Sequence, residues 1–519
     1  MLNVHLRITD AATDRPTPVR VRIGAPDGTQ FPPLGWSAEF PLGRNEDVGG
    51  RVRFGRESWW YVDGACEVPL PAGVALRVQV AKGPEFTPLD ETVTLGAGQI
   101  ALRFAVTRWA DARAEGWVSV DTRCHFIGPH AALLEARAEG VDVVNLLATP
   151  FTMLALDGHA YTTAPHLLAF SGQGPALERD GSAVVVNTFN AHPVLGRVAL
   201  LNAHRPVFPL AFGGEETDDW GVCDWCDQCH RKKGLAVWVG AFEPAGGLTG
   251  GEALVAAVLG KIDAIEVTEG ARKVPLFPWV YRLWDAGVPV PLVGASGKDA
   301  NKIALGCVRT YANVNEAAPS WGRPTPPTPH PAGRGEKDLR TAVPSERSQD
   351  ATPEFTPSRQ GGGWGVGPFG GWGVDPTATR SWIEAVRAGR TFVTAGPLLG
   401  LAREGTLVRA TARARGHLPA VEIVANGAVI AAAAGSVEAV VTEPGWVAAR
   451  STTPGAFAHT SPLVVGTPAR NPEAVALLIE LIGQVRAWAE ERGRFASPKR
   501  KAALLERCAD AVRRLEGAR

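Results

Sequence analysis

Over the first 112 residues, apolar and polar positions alternate in short runs such as VRVRIGA (19–25), ALRVQVA (75–81) and IALRFAV (100–106). Gly, Pro and Asp turns separate them. Successive strand side chains point to opposite faces, so this alternation predicts half-buried strands and a small β-sandwich over 1–112. Trp59, Trp60 and Tyr61 lie in this region. They are expected to be buried between the sheets rather than displayed as a sugar-binding platform.

From residue 116 the pattern changes. The runs VDVVNLLA (141–148), SAVVVNTF (182–189), GLAVWVGAF (234–242), IDAIEVTE (262–269) and VPVPLVGAS (288–296) are apolar on both faces. PHAALLEARAEG (129–140) and GEALVAAVLGK (251–261) carry helical patterns between them. Doubly buried strands alternating with helices predict an α/β unit of barrel-like form over 113–315, resuming at 379–400. The intervening 316–378 is Pro/Gly-rich, has no periodic apolar face, and is expected to be a disordered insertion. Alternation returns over 401–468, where Asn426-Gly427 signals a hairpin and a small β-domain is expected. Over 469–519, Asn471-Pro472 and Ser497-Pro498 each place a capping residue before Pro at a helix start, predicting a helical hairpin.

Lys plus Arg and Asp plus Glu are equal at 53 each, so no global basic field points to nucleic acid. No stretch has the length and hydrophobicity of a secretory leader or membrane span. The seven cysteines are odd in number and three lie within seven residues, which argues against a disulfide framework. A cytoplasmic location is the expectation from these features, and the oligomeric state is left open.

The segment GWVSVDTRCHFIGPHAALLEARAEGVDVVNLLA (116–148) resembles the opening of the CehA/McbA-type, carbaryl-hydrolase-like metallohydrolases of the PHP (polymerase and histidinol phosphatase) superfamily. GKIDAIEV (260–267), YRLWDAGVPVPLVGAS (281–296), LGCVRTYANV (305–314) and AVRAGRTFVTAGPLL (385–399) are similar to later family segments, in the family's order. The resemblance implies a PHP-type, distorted β/α barrel flanked by small all-β domains and a C-terminal helical hairpin. It also implies descent from metal-dependent hydrolases of ester, amide or phosphoester bonds, with zinc, manganese or iron as the cofactor where one is kept.

The family's ligand positions are largely replaced. The first His of its His-x-His pair falls at Arg123, leaving His125; another falls at Arg197, a third near Gly240, and an Asp at or beside Gly297. A guanidinium has no lone pair for a metal, but it can neutralise leftover carboxylates or bind an anion bidentately. A reduced metal site would use His125, Asp121 and Glu266. Lys298 or Arg123 would then stabilise oxyanion charge, with Asp299 beside Lys298 in the late loop. Arg123, Arg197, His192 and His204 are candidate ligand-binding groups, and Glu269 is a further carboxylate at a strand end.

Cys223, Cys226, Cys229 and His230, within CDWCDQCH, form an alternative zinc cluster. The competing reading is a helix that packs its thiols against the next strand, because four ligands within eight helical residues rarely converge. Two functions of different class follow. One is a PHP-type hydrolase with a reduced or lost metal site. The other is a catalytically inactive protein that recognises an anionic, carbohydrate or peptide ligand at the barrel mouth.

Overall fold

The computed structural model describes residues 1–35, 48–154, 160–214, 217–268, 276–315, 376–453, 456–467 and 470–517. The insertion expected at 316–378 and Glu269 therefore lie outside the described residues, apart from positions 376–378, which open a helix.

Alternation builds the N-terminal part as expected from its sequence. Ala75–Ala81 buries Leu76, Val78 and Val80 and exposes Ala75 and Arg77. The strands form one sheet of four and one of five, and their apolar faces meet around Val4, Leu6, Ile8, Ile23, Val68 and Leu76. Tyr61 is fully buried and Trp60 nearly so, as expected, whereas Trp59 is half-buried.

The central sheet is mixed. Trp117–Cys124, Val143–Ala148 and Ser182–His192 run parallel as neighbours, and Leu235–Val239, Ala264–Val267 and Leu292–Gly294 form a second parallel run. Between the two runs lies Gly196–Leu201, antiparallel to both of its neighbours. Helices α1 (Pro129–Glu139), α2 (Val222–Arg231), α3 (Gly251–Val258) and α4 (Leu276–Asp285) lie in the connections.

The sheet curls until its far strand meets its first. Cys124 and Lys298 form a parallel bridge, and Thr122 Oγ1 donates to the Gly294 carbonyl at 3.1 Å. Val143, Leu147, Val185, Val237, Ala264 and Val293 fill the inside of the curl. Helix α5 (Pro376–Arg387) closes one end with Trp382, Ile383 and Val386. Arg387 donates to the Gly234 carbonyl at 2.6 Å and pairs with Asp263 at 3.7 Å, which places this closure where the second parallel run begins. The opposite end, where the parallel strands finish, is the open mouth.

Residues after 400 do not stand as one separate sheet. Ala456–Thr460 pairs with Thr391–Thr394 and so carries the central sheet onward through Gly445–Thr453 and Ala420–Ala425. Leu398–Glu404, Leu407–Arg413 and Ser436–Val440 form a three-stranded sheet facing that extension. Asn426 and Gly427 both have positive φ (46° and 83°), the geometry their hairpin signal demands.

The chain ends in α6 (Pro472–Glu491) and α7 (Pro498–Glu516). Asn471 caps α6 by accepting from Ala474 N at 3.0 Å, whereas Ser497 makes no side-chain cap bond and α7 starts on Pro498 alone. Leu478, Ile482, Val485, Leu504 and Cys508 bury against α3. Arg507 adds ion pairs to Asp224 (2.7 Å) and Glu252 (3.2 Å). Among the described residues, no helix is long and apolar enough to cross a membrane.

Candidate functional site at the mouth of the curled sheet

Asp121, within the first central strand, is fully buried and its acceptor capacity is taken up locally. Oδ1 accepts from Ser296 N at 3.0 Å and Arg123 N at 3.3 Å, while Oδ2 accepts from Ser296 Oγ at 2.5 Å and Gly306 N at 2.8 Å. This carboxylate ties the first strand to two loops on the closing side. Asp121→Ala leaves those donors unpaired in the interior and is expected to destabilise the fold by about 3–5 kcal/mol, with Asp121→Asn costing less. Urea unfolding of both variants measures the difference, and equal losses would count against this structural role.

His125 is held by backbone and rings. Its backbone N donates to the Lys298 carbonyl at 2.7 Å, and Nδ1 donates to the Leu147 carbonyl at 3.2 Å. The Phe189 ring lies edge-on at 5.4 Å. Burial, reinforced by Arg123, pushes the imidazole pKa down to about 3, so it stays neutral.

Arg123 and Arg197 each hold a glutamate. Arg123 donates through Nε (3.0 Å to each oxygen) and Nη2 (2.8 Å to Oε1) to Glu266. Arg197 pairs through Nη2 with Glu243. The first pair is deep, with side chains 17% and 1% exposed; the second is a rim pair at 42% and 50%. Gly297 and Gly240 make room for these guanidinium groups. A β-carbon at Gly297 would lie 2.9 Å from Nη2 of Arg123, and one at Gly240 would collide with Arg197 and Glu243. Positive φ (63° and 61°) suits glycine at both places.

The two pairs, with Phe189, Val239, Thr268 and Leu276, line a cleft of about 100 Å³. Glu243 and Phe189 were not among the candidates read from sequence. Phe189 lies within Ser182–His192 and Glu243 just beyond Leu235–Val239, strands that only Gly196–Leu201 separates, and no local pattern gives that neighbourhood.

The other sequence candidates fall elsewhere. Lys298 is wholly buried, pairing with Glu135 at 3.2 Å and donating to the Ile303 carbonyl at 2.9 Å, so its ammonium does not face the mouth to meet an oxyanion. Asp299, half-buried beside it, has no hydrogen-bond or ion-pair partner among the described residues. His192 is buried away from the cleft; its Nδ1 accepts from Val194 N and Leu195 N, and Nε2 donates to Asp218 at 3.0 Å. Burial holds its pKa below the ordinary value despite Asp218. Asp218 in turn accepts from Arg494 N at 2.7 Å, so this histidine anchors the joint between α6 and α7. His204 follows the antiparallel strand Gly196–Leu201, which carries it to the far end, where Nδ1 donates to the Lys232 carbonyl at 2.9 Å.

The zinc alternative is corrected likewise. Cys223, Cys226 and Cys229 sit on α2 within the apolar interior, where burial raises all three thiol pKa values, and His230 turns to Asp263 at 2.8 Å. Among the described residues, no group of three or more His, Cys, Asp or Glu side chains could hold a metal ion. The trio His125, Asp121 and Glu266 therefore does not fit a metal. Asp121 is consumed by backbone donors, Glu266 by Arg123, and the imidazole stands apart from both. Compared with family models, with curated proteins and with solved structures, the chain matches none.

Proposed function

We propose that the protein is a metal-independent binding protein of PHP-type descent, with the open end of a barrel derived from that family as its ligand site. One observation carries this reading: Arg123 occupies both oxygens of Glu266, the buried carboxylate that lines the mouth. Displacing it would leave a guanidinium uncompensated in a buried place, which costs several kcal/mol. The resemblance in sequence order supports the descent, and the curled sheet is compatible with it. The alternative, a hydrolase with a reduced metal site, requires Asp121 and Glu266 to abandon the partners they have.

Elemental analysis of untagged protein purified without chelator, before and after incubation with zinc, manganese and iron, tests the reading. The expected result is no stoichiometric metal in wild type or in His125→Ala. A full equivalent of metal that disappears in His125→Ala would overturn it and restore the hydrolase.

A further inference from the structure

The cleft offers both charges in matched pairs. Among the described residues, Arg123 spends Nε and Nη2 on Glu266 and keeps Nη1, while Arg197 spends Nη2 on Glu243 and keeps Nε and Nη1. On the acceptor side, Glu243 bonds through Oε2 and keeps Oε1, and the Thr268 hydroxyl lies on the same wall. Each arginine is already neutralised by a glutamate, so a multiply charged anion entering here would meet two carboxylates as well as two guanidinium groups. A singly charged carboxylate with a cationic neighbour meets complementary groups on both sides.

Size narrows the class further. About 100 Å³ of space holds roughly seven to ten water-sized groups at ~10–15 Å³ each. A ligand seated wholly within the described cleft is therefore about the size of a single amino acid. Phe189, Val239 and Leu276 add an apolar wall that none of these polar functions needs. Resting on the metal-independent binding reading, we infer that the cleft takes a small zwitterion of α-amino-acid size with an apolar side chain. Its carboxylate accepts from the free donors of Arg197 and Arg123, its ammonium donates to Glu243, and its side chain lies against Phe189 and Leu276.

Thermal unfolding of the full chain, followed by calorimetric titration, tests this with L-alanine, L-valine and L-leucine. Isovalerate serves as the carboxylate without the ammonium, isobutylamine as the amine without the carboxylate, and inorganic phosphate as the bare anion. Ligand bound to the native state raises its stability, so at least one amino acid is expected to raise Tm while isovalerate, isobutylamine and phosphate do not. Arg197→Ala and Glu243→Gln alter half-exposed side chains and should fold normally. Each is expected to weaken amino-acid binding about tenfold or more. Stabilisation by phosphate or isovalerate equal to that by amino acids, or no response to any amino acid, overturns the zwitterion assignment. Phosphate binding lost in Arg197→Ala would do so while leaving metal-independent binding intact, whereas stoichiometric metal would remove that underlying reading instead.

Discussion

Replacing Glu135 by alanine is expected to cost about 3–5 kcal/mol, because it strands the ammonium of Lys298 in a dry interior. Both side chains are fully buried, and their contact is 3.2 Å. Glu135 also accepts from Gly50 N at 2.9 Å, so it joins the N-terminal strands to α1. The reciprocal change, Lys298→Met, is expected to cost less. Burial already raises the Glu135 pKa to about 7, and without its cation the carboxyl simply keeps its proton. The native state thus holds this proton more tightly than the unfolded chain. Glu135 favours the fold at low pH, and that contribution is lost as pH rises through about 7. Denaturant titration of the two variants at neutral pH reads the asymmetry; a larger loss for Lys298→Met would contradict it.

Acidification is expected to draw on two histidines in the opposite sense. Burial holds His125 at about 3 and His459 at about 4, well under the ordinary value of 6.5. Arg123 and Arg450 lower them further. Both stay neutral in the native state while the unfolded chain takes up protons, so their contribution is complete above the ordinary value and fades as pH falls towards 3–4. Between neutrality and a pH of about 4.5, the two together forfeit on the order of 5 kcal/mol, which Glu135 partly offsets in the same window. His459 also receives the Tyr281 hydroxyl at 2.8 Å and stacks on Phe277 at 4.6 Å, so His459→Gln will be weaker at neutral pH. The diagnostic quantity is the slope. Each of His125→Gln and His459→Gln should lose about 2–3 kcal/mol less than wild type across this interval, and slopes unchanged from wild type would refute the assignment.

Elements defined by local pattern were legible in the sequence. Leu76, Val78 and Val80 turned inward as their alternation required, Asn426-Gly427 turned the chain, and Asn471 capped α6. The candidate site was legible only in part. Arg123, Arg197, Gly240 and Gly297 stood out by their types, yet their meaning depends on partners 143 and 46 residues away, Glu266 and Glu243. No local periodicity encodes such pairings. Lys298 was assigned to the mouth because it follows a strand end, but its long side chain reaches back to α1. His204 was misplaced for a topological reason: one antiparallel strand, Gly196–Leu201, reverses the sense of the chain among parallel neighbours. The apolar run that forms it looks the same in either direction.

The interlock of Arg123 with Gly297, and of Arg197 with Gly240, restricts what substitutions either position accepts. No side chain can occupy either glycine while the guanidinium fills its space. Removing Arg123 first abandons Glu266, which is almost completely buried. Any larger residue at Gly297 or Gly240 therefore requires its arginine to move first, and at the deep pair that move leaves Glu266 without its cation, so Arg123 and Gly297 can only change together.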